Sequence, residues 1–188
     1  MVLTGLLEEL RAALIERGCD VDQHLMPGIS PLELREEVRP LGLRLPDEVM
    51  ELYAWRGGQG EEAEMAVDAL RFRDNVFIDI PSSLRTYEEI QQYRSAGIEY
   101  GFDLGEAFPF AAFMGASYAV ICGEHRLASP AAHPVVSFFE GVDLFFHSLE
   151  TMVSTCIEWV RHPGWSKESE LSQDTELEIW LRHNPGVF

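Results

Sequence analysis

Between Phe108 and Ser148 the chain carries four short aromatic or β-branched runs, FPFAAF, SYAVIC, PVVSFF and VDLFFHS. Gly115, Gly123, Pro130 and Glu140-Gly141 separate them. Runs this short, bounded by turn formers, read as strands. Parallel strands would need a long crossover between neighbours, and no helical pattern lies between these runs, so they pair as an antiparallel meander. The flanking segments have a helical period instead. Helices, then a sheet, then helices predict an α+β fold, a central antiparallel sheet flanked by N-terminal and C-terminal helices, rather than a doubly wound one.

The helical segments announce themselves by spacing and caps. Leu3, Leu6, Leu7, Leu10 and Leu14 recur at three- and four-residue intervals until Gly18. In Ser30-Pro31-Leu32-Glu33 the serine caps, the proline suits the first helical position and the glutamate closes a capping box. Pro46 is expected as the first residue of a third helix, with Asp47 and Glu48 at its positive end and Val49, Leu52 and Tyr53 on one face. Residues 61–75 show no clean period and are expected as a long excursion or irregular strands. NVFIDI reads as a strand before Pro81. Thr86-Tyr87-Glu88-Glu89 reads as a capping box opening the helix TYEEIQQYRSAG, ended by Gly97. A strong helix follows from Leu149, with Met152, Val153, Cys156, Ile157 and Val160 spaced for burial and HPGW as its end. From Ser166 the composition turns to acid and serine, a solvated linker or tail, although Thr175 with Glu178 offers a cap for a last short helix around Leu177, Trp180 and Leu181. The expected organisation is a single domain over 1–165 and an acidic C-terminal extension over 166–188.

Composition narrows the function classes. At 188 residues and 46% hydrophobic, the chain has the material for one buried core. Thirty-two acids against fourteen bases give a net charge of −18, and thirteen of those bases are arginine. Such a chain repels nucleic acid and anionic membranes; the acid excess either only keeps the protein soluble or also attracts a basic protein. No apolar run is long enough to span a bilayer, and Glu8 and Glu9 interrupt the N-terminal pattern where a secretory signal would stay apolar, so a cytoplasmic location is expected. Cys19, Cys122 and Cys156 are odd in number and unpaired in spacing, which fits reduced thiols.

Residues that carry chemistry are sparse. The glycines of Arg56-Gly57-Gly58-Gln59-Gly60 follow a helix instead of preceding one, and Glu61, Glu62 and Glu64 come next, so a phosphate cradle is not expected there. Gly57 reads as the left-handed residue that closes the helix. Cys122-Gly123-Glu124-His125, with His133 nearby, supplies one Cys-x-x-His pair where structural zinc needs two pairs, and reads as a turn between strands. Ser117, in Gly-Ala-Ser-Tyr-Ala, lacks the last glycine of a nucleophile elbow and falls on a strand. No catalytic residue, cofactor or metal is expected.

In order and spacing, several stretches resemble the SUKH superfamily, the family of the yeast cell-wall glucan-synthesis regulator. LGLRLPDEVMELYAWRGGQ is similar to its signature: a Leu-Gly pair, Leu-Pro before an acidic helix, an aromatic near the helix end, and an Asn-Gly-Gly-like stop. Arg56 stands at the Asn position. Phe108-Pro109-Phe110-Ala111 followed by Gly115-Ala116-Ser117-Tyr118 resembles the family's central strands, and Ser148-Leu149-Glu150 resembles the start of its final helix. The likeness spans roughly 28–162. It implies an α+β fold and a binding role, since many bacterial members resemble immunity proteins that neutralise toxins and fungal members resemble signalling hubs.

The expected function is therefore non-catalytic binding of a basic toxin or effector domain. The alternative is a regulatory scaffold of the cell-wall type, with an unrecognised hydrolase using Ser117 or His125 third. Affinity needs aromatic anchors and steering charge together. Two segments offer both: Trp55 through Glu64, with Glu61, Glu62 and Glu64, and EYGFDLGEAF, with Tyr100, Asp103 and Glu106. Trp55 reads equally as a core residue beside Leu52 and Tyr53.

Overall fold

The computed structural model describes residues 2–93, 100–169 and 171–187. Helix α1, Val2–Glu16, buries Leu3, Leu7, Leu10 and Leu14. Helix α2, Pro31–Val38, opens with the expected reciprocal cap: Glu33 N donates to Ser30 Oγ at 3.2 Å, and Ser30 N to Glu33 Oε2 at 2.9 Å. Helix α3 covers Asp47–Trp55, with Pro46 as the capping residue just outside it.

The RGG stretch departs from expectation. Arg56 ends α3 with extended backbone, and Gly58, not Gly57, has a left-handed φ of 90°. Neither glycine serves as the helix's left-handed cap. Both let backbones meet: Gly57 N donates to Met26 O at 3.1 Å, Met26 N donates to Gly58 O at 2.9 Å, and a Cβ on Gly57 would sit 2.6 Å from Pro27 O. Gly58 lies just as close to the backbone of Ile78. The next residue, Gln59, is fully buried; its Nε2 donates to Leu70 O at 2.8 Å and its Oε1 accepts from Leu70 N at 3.0 Å. The stretch is a backbone crossing sealed by a buried amide.

After a 3-10 turn over Glu61–Ala63 come β1, Arg71–Phe72, and β2, Asn75–Phe77. The strand expected over NVFIDI thus stops at Phe77. Helix α4, Ile80–Gln91, starts six residues upstream of the Thr86 box because Asp79 caps it, Oδ1 accepting from Ser82 N at 2.9 Å, with Pro81 in the first turn. Thr86 and Glu89 are interior helical residues. The expected stop at Gly97 lies outside the described residues.

The remaining strands are β3, Ala107–Phe113, β4, Ala116–Ile121, β5, Val135–Phe138, and β6, Val142–Phe146. All six pair antiparallel in sequence order, the expected meander extended by β1 and β2. The segment Cys122–His125 is not a tight turn: it opens a long loop, 122–134, before β5. Pro109 is tolerated in a central strand because β3 bulges between Pro109 and Ala111. That bulge keeps Phe108, Phe110 and Ala111 all in the larger core.

Helix α5, Leu149–Arg161, is capped by Ser148 and buries Met152, Val153, Cys156, Ile157 and Val160 against α1 and the sheet. Helix α6, Gln173–His183, starts at a Ser172 cap, not at Thr175, which is its third residue. Ile179 and Trp180 are buried in the larger core, so this acidic segment folds back onto α5. The fold is α+β. Among the described residues no helix is long and apolar enough to cross a membrane.

Candidate functional site

Residues alternate across β4, and the two sides differ in kind. Tyr118 and Val120 join Phe108, Phe110, Tyr53 and the buried residues of α1 and α5 in the larger core. Ser117, Ala119 and Ile121 point the other way, toward α4, where Ala119 and Ile121 join Ile90, Ala107, Val136 and Phe138 in a smaller cluster. On the α4 side Ile90, Ile121, Val136 and Phe138 pack over the small Ala107 and Ala119, and at the Ser117 end the helix does not close over the sheet. A cleft of about 360 Å³ remains there between α4, the Glu61–Glu64 turn and the β3–β4 hairpin.

Ser117 and Ala112 lie opposite one another in the cleft floor. Ser117 is only 4% exposed, and its hydroxyl has no hydrogen-bond partner among the described residues. Among the described residues, Glu61, Glu64 and Glu89 line the cleft together with one cation, Arg85. Arg85 pairs with Glu61 and donates from Nη2 to Ser82 Oγ at 3.0 Å. Both members of that pair are well exposed, which makes it a weak tie. Glu64 Oε1 accepts from Met114 N at 3.2 Å and so braces the hairpin tip.

The tip itself is unusual. Met114 is 75% exposed and left-handed, with φ of 48°. Arg73 and Glu140, in the β1–β2 and β5–β6 turns, are the other left-handed non-glycine residues described, and the strand registers put all three turns at one end of the sheet. At Met114-Gly115, with φ of 48° and 85° between the paired Phe113 and Ala116, the left-handed backbone is what a two-residue hairpin turn requires. Exposed Phe139 stands beside Met114 on this end, and exposed Tyr93 rims the cleft, its ring 6.0 Å from that of Phe138.

The residues expected at a binding surface are divided by the fold. Glu61 and Glu64 lie on the cleft; Glu62 is exposed on the same turn, its carboxylate folded over Gly60. Trp55 is not on the surface: it is buried, donates from Nε1 to Glu8 Oε1 at 2.6 Å, and lies under the Arg56 guanidinium, 5.3 Å from its ring centre. It packs because its position on α3 faces α1. Tyr100, Asp103 and Glu106 sit at the start of β3, about 20 Å along the strand from Met114. There Tyr100 packs on Phe102, Asp103 Oδ1 accepts from Gly105 N at 2.8 Å, and Glu106 lies against Gly123. These are local structural duties, and the segment does not join the cleft. Sequence reasoning missed Met114, Tyr93, Glu89 and Phe139. Gly115 and Glu140-Gly141 marked the turns, but their alignment at one end is a property of register.

On the other side of the hairpin tip a larger apolar groove, about 940 Å³, runs past Tyr118, Phe139, Leu144, Phe145 and Trp180. Reactive groups are muted. Burial pushes the Cys122 and Cys156 thiols up to about 12, with Glu106 adding to the effect at Cys122. His147 is paired with Ser129 Oγ at 3.1 Å, but its Nε2 is 3.0 Å from Pro185 O and its backbone N donates to Asn184 Oδ1 at 3.2 Å, so it fastens the chain after α6. His125 Nε2 lies 3.0 Å from Ala131 O. Among the described residues no three His, Cys, Asp or Glu side chains converge to hold a metal.

No protein-family model matches the chain, and no curated protein matches it either.

Proposed function

We propose that this is a SUKH-like, non-catalytic binding protein that neutralises a basic toxin or effector domain in the cytoplasm. The observation that carries the reading is the acid-rimmed cleft beside exposed Met114 and Tyr93, which puts apolar anchors next to steering charge. A net charge of −18 extends the same field over the molecule, and three free cysteines suit a reducing compartment. Association with the partner is faster at low salt. Co-expression with the product of the neighbouring gene tests this: the toxin kills alone and is silenced by this protein, and reversing Glu61, Glu64 and Glu89 together to Lys removes the protection. A product harmless by itself, or one that still kills, sinks the proposal.

A second reading, a scaffold of the cell-wall-regulator type, draws on the apolar groove past Phe139 and Phe145. A partner seated there binds with little dependence on salt, and the triple charge reversal leaves its affinity unchanged.

A further inference from the structure

We infer that the cleft beneath Met114 receives one arginine side chain from the partner, its guanidinium held between α4 and the floor of β4. This rests on the reading of the protein as a binder of basic proteins, and names the group recognised. The size comes first. About 360 Å³ is near the lower end of small-ligand sites and suits one long side chain, not a folded segment. The floor comes second. Ser117, only 4% exposed, lines the cleft and its hydroxyl makes no hydrogen bond among the described residues, so it can accept from a donor that enters.

The walls supply the rest. Glu89, on the cleft side of α4, makes no ion pair among the described residues, and Glu64 spends one carboxylate oxygen on Met114 N. Acceptors therefore face the cavity from three elements: the strand floor, the helix and the turn. A guanidinium carries five donors in a fixed planar fork and can reach acceptors on several sides, whereas an ammonium is a compact, strongly hydrated point charge. The Tyr93 and Phe138 rings line the same space and offer faces on which a guanidinium can stack. The rim already holds one guanidinium of the chain itself: Arg85 engages Glu61 and Ser82 there.

The test is an amide-resolved NMR titration of the whole protein with N-acetyl-arginine methylamide, its lysine analogue and its citrulline analogue, which keeps the shape and lacks the charge. Saturable shifts are expected at Ser117, Met114 and Glu89 with arginine. Binding should be roughly fivefold weaker with lysine and not saturable with citrulline. Glu89→Gln, on an exposed helical position, weakens arginine binding by about tenfold, and Ser117→Ala by about threefold. Absence of saturable shifts, equal binding of citrulline, or indifference to both substitutions overturns the inference. A basic partner that binds with unchanged affinity to Glu89→Gln, and is not displaced by saturating arginine analogue, overturns it while leaving the proposed function standing. Saturable arginine binding at these residues with no toxin neutralised does the reverse.

Discussion

Ser117 and Tyr118 are adjacent on one strand and belong to two different regions. On the Tyr118 side, aromatic rings close on one another: Tyr53 lies 5.2 Å from Phe77 and 6.1 Å from Phe108, and Tyr118 lies 5.4 Å from Phe145. The Tyr53 hydroxyl donates to Ile78 O at 3.1 Å and meets Ser83 Oγ at 2.8 Å, so even the polar atom there is satisfied. Across the sheet, Ser117, Ala112 and Ala116 are too small to fill the space between α4 and the β3–β4 hairpin, and the cleft is what remains. The Tyr118 face spends most of its large side chains on stability and stays open only at the groove past Phe145 and Trp180, whereas the Ser117 face keeps a smaller cleft lined by glutamates.

The sharpest way to break this contrast is to empty the dry face. Phe108→Ala, at a fully buried ring, should cost about 3–5 kcal/mol in urea unfolding. A loss below about 1 kcal/mol would mean that the aromatic face does not hold the fold.

Glu48 tests the edge of that face. Its carboxyl accepts from Leu149 N at the start of α5, and burial, with Glu150 nearby, pushes it up to about 7 from 4.5. Because the folded form keeps the proton longer than the unfolded chain, this group's contribution is intact below about pH 4.5 and is lost as pH rises through 7. Glu48→Gln should therefore match the parent near pH 4 and exceed it by about 2 kcal/mol near pH 8. A stability difference that does not change with pH refutes the assignment.

On the open side the effects shrink. Met114→Gly relieves a left-handed φ at the cost of a more flexible unfolded chain, a net gain of about 0.5 kcal/mol, while partner affinity falls by roughly tenfold. Stability and binding moving in opposite directions is the signature expected of a contact residue; a parallel loss of both marks a structural one. Ser117→Ala should change stability by less than about 0.5 kcal/mol, because no bond inside the protein is broken.

The local grammar of the chain was largely readable. The leucine period of α1, the Ser30 cap, the four aromatic runs and the buried stripe of α5 all depend on residues a few positions apart, and each forms as expected. Errors came where two local signals competed. Asp79-Ile80-Pro81 outranked Thr86 as a helix start, where the earlier cap brings Ile80 and Ser83 into the helix's buried side, and Ser172 outranked Thr175 by accepting from the Thr175 backbone N. The glycines of RGGQG were misassigned for another reason. Their role is set by Pro27 and Ile78, residues that no short window contains.

The same distinction divides the site. Sequence by itself determined the acidic field, the antiparallel meander and the presence of glutamates after α3, since composition and short-range period are local quantities. Only the tertiary structure decided that Trp55 turns inward to Glu8, that Tyr100, Asp103 and Glu106 lie at the far end of β3, and that Glu89, Tyr93, Met114 and Ser117 surround one cavity. The physical reason is register. A one-residue shift in strand pairing would exchange Ser117 for Tyr118 under α4, and that choice is fixed by the packing of the whole sheet against its helices.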